Sequence, residues 1–246
     1  MSSLRKVALA AAFTITMGGI GLSPAKAATE TWNFNSPTGV LGNIQNYLSS
    51  PGGLTATAAG FASTAADPNG PATPTPLFGK NNGTDSSGSL ENGLGVAAPP
   101  GGSDNEIVAG MSFVTVHLPT SVTNVMASLG SLTGGEVGEV FGSTTGLAGS
   151  WVLVAANITG PAQQGVLVPL QTGFQGGVAC PTCTFFAFFA VGSSGGGPGG
   201  ASDLLLSQMT ANVSEIPIPG ALPLFATGLV GLGLLGWRRK KRTVTA

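Results

Sequence analysis

The run Phe185-Phe-Ala-Phe-Phe-Ala-Val191 is apolar at all seven of its positions. Side chains of a β-strand point alternately to its two faces, so a strand that is apolar at odd and even positions must be covered on both. The run therefore predicts a central strand with packed layers on both sides.

Further short β-favouring runs flank this strand and are separated by Gly, Pro, Asn and Ser. In residues 113–118 the side chains alternate, with Val114 and Val116 on one face and Thr115 and His117 on the other. So many short strands predict an all-β domain, a single sandwich of jelly-roll-like type. The predicted strands are Thr31–Asn35, Leu54–Phe61, Glu106–Leu118, Val122–Ser131, Val137–Phe141, Trp151–Asn157, Val166–Leu170, Thr184–Val191 and Asp203–Val213.

Three connecting segments have a composition that suggests their structure. Residues Gln45–Ser49 predict a helical turn, and Asp67–Pro76, with four prolines, predicts an extended loop. Gly192–Gly200 contains six glycines and one proline, which predicts a flexible hairpin connection within the domain.

The first 27 residues have the composition of a secretory signal peptide. Arg5 and Lys6 precede an apolar stretch. Ala25-Lys-Ala27 then fits the cleavage pattern of a signal peptidase, which requires small residues at the first and third of these positions. Cleavage after Ala27 would expose Ala28, and the general secretion route is expected because no Arg pair precedes the stretch.

The far end of the chain predicts a membrane anchor. Residues 221–237 contain no charge, and a helix of this length spans about 25 Å, the short end of what crosses a hydrocarbon core of about 30 Å. Trp237 suits the headgroup boundary, and the five cations of Arg238–Arg242 should stay on the cytoplasmic side. We therefore expect a transmembrane helix at about 219–237, a basic tail at 238–242, and the domain 28–215 on the exported side of the inner membrane.

The same tail resembles a known family of sorting signals. Pro217-Ile-Pro219, the Gly-rich apolar run and the terminal cluster that begins at Arg238 and Arg239 are together similar to the PEP-CTERM signal of bacterial exported proteins. Ile218 stands where the family's name-giving motif has Glu. The resemblance implies processing by an exosortase near the prolines, delivery to the cell surface or extracellular matrix, and association with exopolysaccharide and biofilm.

The middle of the chain has a looser resemblance to exported PEP-CTERM proteins with β-sandwich middles. It rests on Leu77-Phe-Gly-Lys80, Glu91-Asn-Gly-Leu-Gly95, Asp104-Asn-Glu-Ile107 and Leu204–Ala211. This group has no assigned chemistry, so the resemblance implies a fold and a location only.

The charge of residues 28–215 is strongly acidic. This segment contains all ten acidic residues of the chain but only Lys80 of its nine basic ones, a net charge of −9. Such a surface excludes nucleic acid as a partner, because phosphates require Lys and Arg. The excess charge is expected to keep the protein soluble, and calcium binding is the alternative.

Calcium candidates lie in loops that are rich in Asn and Gly. Carboxylates are its preferred ligands, and Asp85, Glu91, Asp104 and Glu106 lie close together in the sequence. Their spacing does not match an EF-hand loop, so an ordinary solvated loop is the alternative. No other cofactor is predicted.

The two cysteines form the motif Cys180-Pro-Thr-Cys183. In an exported protein this spacing predicts a local disulfide, with free thiols or a redox-active pair as alternatives. A zinc site would need two more ligands, and the chain has no other Cys and only one His.

The sequence favours no catalytic site. His117 is the only histidine that a Ser-His-Asp triad could use, and the formal match Gly192-Ser-Ser-Gly-Gly196 is followed by Gly-Pro-Gly-Gly rather than by a helix. Glu136 and Glu139 could pair for glycoside hydrolysis, but the chain has few Trp and Tyr residues to stack on sugars. We therefore expect a non-catalytic protein of the envelope or matrix, and the alternative is a carbohydrate-binding module with or without assistance by calcium.

Overall fold

The computed structural model describes residues 27–65, 67–84, 88–98, 105–119, 122–192 and 202–213. Within these ranges the chain forms two antiparallel sheets and no helix, which confirms the all-β prediction. The same ranges therefore contain no helix that is long and apolar enough to cross a bilayer. Apart from Ala27, the predicted signal peptide and sorting signal lie outside the described residues.

The strands follow one another along the described part of the chain with no other regular element between them. They are β1 (Ala28–Asn33), β2 (Gly39–Val40), β3 (Ile44–Leu48), β4 (Thr55–Ala62), β5 (Thr73–Pro74), β6 (Leu77–Thr84), β7 (Leu90–Val96), β8 (Ile107–Val108), β9 (Ser112–His117), β10 (Val122–Gly130), β11 (Val137–Ser143), β12 (Val152–Thr159), β13 (Val168–Pro169), β14 (Phe185–Val191) and β15 (Asp203–Val213).

The described strands divide between a seven-stranded and an eight-stranded sheet. The seven-stranded sheet has the order β12-β11-β14-β9-β4-β3, with β5 beside β4. The eight-stranded sheet has the order β13-β10-β15-β7-β6-β2, with β1 and β8 also paired to β15. The two sheets bury a common apolar core, which is the arrangement of a β-sandwich-like fold.

Strand β14 occupies the central position that its sequence predicts. It pairs with β11 on one side and β9 on the other. Phe186 and Phe188 are fully buried in the core between the sheets, while Ala187 and Phe189 are buried on the opposite face. Both faces of the strand are therefore covered, as an apolar run of this kind requires.

Strand β15 organises the eight-stranded sheet. Leu204, Leu206 and Met209 are fully buried in the common core. The strand begins beside β8, where Asp203 pairs with Val108, and ends beside β1, where Val213 pairs with Ala28. The first and last strands of the fold are thus hydrogen-bonded neighbours.

One predicted turn is wrong. Residues Gln45–Ser49 do not form a helical turn, because Ile44–Leu48 is an edge strand paired with β4. Tyr47 is buried against Phe34 with the two ring centroids 4.7 Å apart, whereas Ile44 and Leu48 are exposed. Pairing with β4 and burial of one aromatic ring outweigh the weak local preference of this polar segment.

The predicted hairpin and one predicted strand also need correction. Gly192–Gly200 does not connect neighbouring strands of a hairpin, because β14 and β15 belong to different sheets. Glu106–Leu118 is not one strand, since a turn at Ala109–Met111 separates β8 from β9 and sends them to different sheets. Gly110 has a φ of +68° in this turn, a conformation that other residues rarely adopt.

Strands β6 and β7 were missed because of their glycines. A Cβ on Gly93 would lie 2.6 Å from the carbonyl oxygen of Leu206, and one on Gly95 would lie 2.4 Å from that of Asn105. These glycines permit a close approach of backbones inside the sheet, although locally they resemble turn residues.

Replacing Phe186 with Ala should lower the free energy of unfolding by about 3–5 kcal/mol, because it leaves a cavity beneath the central strand. Phe185→Ala is the matched control, since its ring is only half-buried on the outer face and should cost about 1 kcal/mol. Urea denaturation measures both values, and equal losses would contradict the deeper burial of Phe186 than of Phe185.

Candidate functional site

Lys80 joins two of the predicted calcium ligands. Its Nζ donates to Glu91 Oε2 at 3.0 Å and also to Glu106 Oε1. Glu91 Oε1 accepts hydrogen bonds from Ser131 Oγ at 2.8 Å and Ser89 Oγ at 3.0 Å. The pairing of β6 with β7 places Lys80 beside Glu91. Glu106 is the residue that directly precedes β8.

These contacts shift the pKa values of the three groups. Burial acts to raise the pKa of Glu91, but the hydrogen bonds from Lys80 and Ser131 and the lysine charge outweigh it, so the pKa is lowered. Burial raises the pKa of Glu106 despite its contact with Lys80. Burial acts to lower the pKa of Lys80, but the two carboxylates hold it above its usual value.

Two further acidic residues extend this cluster. Burial, a hydrogen bond with Glu136 and the negative charge of Glu106 together raise the pKa of Asp203 to about 9. Asp203 is therefore protonated at neutral pH, because one lysine cannot neutralise so many buried carboxyl groups. We call Lys80, Glu91, Glu106, Glu136 and Asp203 the acidic cluster.

The acidic cluster bears on the calcium prediction. The structure brings Glu91 and Glu106 together, whereas Asp85 and Asp104 lie outside the described residues. In the part of the chain that is described, no three Asp, Glu, His or Cys residues are arranged to hold a metal ion. The ammonium group of Lys80 occupies the space between the two carboxylates, and calcium binding by the four residues stays a prediction.

Cys180 and Cys183 are joined by a disulfide. Gln171 forms hydrogen bonds with both ends of the disulfide loop. Its backbone carbonyl accepts from Cys180 N at 2.9 Å, and its Nε2 donates to the carbonyl of Cys183 at 3.2 Å. The closed loop immediately precedes β14, so it defines where the central strand begins.

The residues considered for catalysis are separated in the structure. His117 is exposed, stacks on Phe185 with ring centroids 4.0 Å apart, and has a pKa lowered by burial. Except for Gly192, the formal Gly-x-Ser-x-Gly match lies outside the described residues. Glu136 accepts a hydrogen bond from Thr133 Oγ1 at 2.9 Å. Glu139 is paired with Phe189 in the neighbouring strand, and both side chains lie on the outer face of the sheet, away from the core.

The structure also reveals an aromatic surface that the sequence analysis missed. On the outer face of the seven-stranded sheet, Phe113 stacks between Phe61 and Phe189, with centroid distances of 5.0 and 4.6 Å. Phe141 contacts Phe189 edge-on at 5.5 Å, and Trp151 is buried in the same cluster. These five residues, together with Phe185 and His117, form what we call the outer aromatic face.

A pocket of about 230 Å³ opens on this face. Phe61, Phe113, Thr115 and Phe185 line it from the sheet, and Trp151 lines it from a loop. The ring-lined walls are a feature of ligand sites, and Thr115 alone among the described lining residues has a polar side chain.

A loop contact fixes the roof of this pocket. Asn69 Oδ1 accepts hydrogen bonds from Gly149 N at 2.7 Å and Trp151 N at 3.3 Å, and Asn69 Nδ2 donates to the carbonyl of Trp151 at 3.4 Å. One amide side chain thereby joins the loop that follows β4 to the loop that precedes β12. Both of these loops contribute residues that line the pocket.

A larger groove of about 1130 Å³ lies where β5 and β8 approach the ends of β4 and β7. Two of its hydroxyl groups are used inside the protein, since Ser63 donates to the carbonyl of Pro71 and Thr75 to that of Thr73. Glu106 also lines it but is paired with Lys80. The groove thus presents mainly apolar walls, with few polar groups left to orient a ligand.

Comparisons of the chain with protein-family models, curated proteins and solved structures give no match.

Replacing Lys80 with Met should cost about 3–5 kcal/mol of stability, because it leaves the carboxylates of Glu91 and Glu106 without their cation. The double variant Lys80→Met/Glu106→Gln should recover part of that loss, since it removes one of the two stranded charges. Chemical denaturation at pH 7 measures both variants. A loss below about 1 kcal/mol for Lys80→Met would show that the ion pairs are solvated instead.

Replacing Asp203 with Asn should make the protein less sensitive to alkaline pH. The unfolded chain loses the Asp203 proton near the usual pKa of 3.8 and the folded chain near 9, so the stabilising contribution of this group falls as the pH rises between those values. We expect equal melting temperatures near pH 4 and a variant that melts at least about 2–4 °C higher at pH 8. Parallel melting curves of the two proteins from pH 4 to pH 9 would contradict the raised pKa.

Proposed function

We propose that the protein is a non-catalytic, exported component of the cell envelope or extracellular matrix. In this proposal a single jelly-roll-like β-sandwich is flanked by a signal peptide, which signal peptidase removes, and by a transmembrane sorting signal. An exosortase-type enzyme processes that signal, and the released or surface-attached domain works in association with exopolysaccharide.

The observation that supports this proposal best is the pairing of the first described strand with the last. Strand β1 begins at Ala28, the residue that signal cleavage would expose, and it pairs with the end of β15 at Val213. Val213 lies only three residues before Ile216, where the resemblance to the sorting signal starts. The pairing of β1 with β15 thus places the two residues that adjoin the proposed export segments, Ala28 and Val213, on neighbouring strands.

The disulfide gives independent support for export. Cys180 and Cys183 are bonded, and disulfides persist in the envelope and outside the cell but are rare in the reducing cytosol.

A second function, carbohydrate binding, is favoured by the outer aromatic face. Exposed or half-buried rings on a rigid sheet are suited to stacking on sugars, and His117 and Phe185 form such a pair. A contribution of calcium would appear as a rise in melting temperature when calcium is added.

Export and processing can be tested on the full-length chain in a bacterial host that has an exosortase. We expect the mature protein to begin at Ala28, to end near Pro217–Pro219, and to be two hydrogens lighter than the dithiol form, as measured by intact mass spectrometry. Replacing Arg238 and Arg239 with Gln should reduce membrane retention and processing, because the basic cluster holds the tail on the cytoplasmic side.

Val244→Ala is the matched control, since it changes the same tail without altering its charge. Recovery of the full-length chain from the cytosol as a soluble species, with signal and tail intact, would overturn the proposal.

A further inference from the structure

We propose that the outer face of the seven-stranded sheet binds a neutral polysaccharide, which lies in a trough between two rows of side chains. This inference rests on the carbohydrate-binding function proposed above. It assigns that function a surface and a ligand class, and it is independent of how the chain is exported.

The floor of the trough is a row in which Ile44 is followed by three smaller residues. Strand pairing aligns Ile44 with Ala59, Ala59 with Thr115, and Thr115 with Ala187, so the row crosses four neighbouring strands. At about 4.8 Å between strands this row is about 14 Å long. Its length allows more than one sugar ring to lie across the sheet.

Larger side chains form the two walls. One wall is the stacked row Phe61, Phe113 and Phe189, in which Phe61 is half-buried and forms the accessible part, while Phe113 and Phe189 are buried and support it. The other wall is a row in which His117 is aligned with both Thr57 and Phe185. Phe113 and His117 are four residues apart on β9, which separates the walls by about 13 Å at 3.3 Å per residue.

The trough is open at one end and closed at the other. Ile44 is 64% exposed on the edge strand β3, and Ala59 and Thr115 are half-buried. At the far end Ala187 is fully buried, and the pocket of about 230 Å³ lies between Thr115 and Trp151. A polysaccharide chain could therefore run along the open part and end with one ring in the pocket.

The chemistry of the walls suits sugar rings. The C–H face of a pyranose packs on aromatic rings, and its hydroxyl groups need donors and acceptors at the rim. Thr57 and Asn46 hydrogen-bond to each other at 2.9 Å on the exposed surface beside His117, where both amide and hydroxyl groups are within reach of a ligand. Partial burial lowers the pKa of His117, which favours the neutral imidazole, and a neutral imidazole both donates and accepts.

Charge selects a neutral ligand over an acidic one. Residues 28–215 contain a single cation, Lys80, and that residue is bound to Glu91 and Glu106 in the other sheet. An acidic neighbour of the trough is Glu139, opposite Phe189. The carboxylate of a uronate or the sulfate of a sulfated sugar would be repelled by Glu139 and would find no Lys or Arg to pair with. A neutral glycan has no charge that must be desolvated on binding.

Affinity electrophoresis of the purified full-length chain in mild detergent tests the proposal. The gels contain dextran, galactomannan or hydroxyethyl cellulose as neutral polysaccharides and alginate as the acidic one. We expect at least one neutral polymer to retard the protein and alginate not to. Absence of retardation by all three neutral polymers, or equal retardation by alginate, would overturn the inference.

Thr115→Trp fills the floor of the trough and should weaken binding by about tenfold or more. Thr123→Trp is the matched control, because Thr123 is an exposed strand residue of the other sheet and this variant should bind as the parent does. Retention of full binding by Thr115→Trp would place the ligand elsewhere and overturn the inference.

His117→Ala provides a second variant if Thr115→Trp fails to fold. Its side chain is exposed, so the fold should be unaffected, and loss of the imidazole should weaken binding several-fold. Unchanged affinity would overturn the inference. A protein that is exported and processed but binds no neutral glycan would refute this inference alone and leave the proposed envelope function in place.

Discussion

The requirement that β14 be covered on both faces governs the rest of the structure. Its inner face, with Phe186 and Phe188, is buried by the eight-stranded sheet, as in any two-layer β-protein. Its outer face has no third layer among the described residues, so loops must shield it. Trp151 and the loops that Asn69 joins provide that cover over Phe189, and they leave the pocket and the trough where the cover ends.

A second constraint is the scarcity of cations. With one lysine in residues 28–215, the buried carboxyl groups cannot all be neutralised by ion pairing. Lys80 is shared between Glu91 and Glu106, and Asp203 retains its proton instead. The same composition keeps cations away from the outer aromatic face, so one feature of the sequence explains both the protonated carboxyl group and the preference that we infer for neutral ligands.

Strands whose own residues are apolar or β-branched were predicted from the sequence, and β15 was predicted with its observed limits. Features that depend on contacts between residues distant in the sequence were not predicted. Lys80 and Glu106 are 26 residues apart and meet only through the pairing of β6, β7 and β15. Likewise, Phe61, Phe113 and Phe189 each face outward by simple alternation, but only the register of β4, β9 and β14 places them in one row. Local periodicity specifies the face of a residue, whereas strand order specifies its neighbours.

The disulfide connects the proposed location of the protein with the surface proposed to bind a ligand. Cys183 is fully buried directly before Thr184, whose backbone N–H donates to Ser143 at 3.2 Å and whose carbonyl accepts from Leu118 at 2.8 Å. These contacts start β14 in register with β11 and β9, and the next residue is Phe185, which stacks on His117. Closing the Cys180–Cys183 loop restricts the segment that must adopt this register, because a cross-link removes conformations from the unfolded chain. Oxidation after export would therefore favour the same strand alignment that builds one wall of the trough.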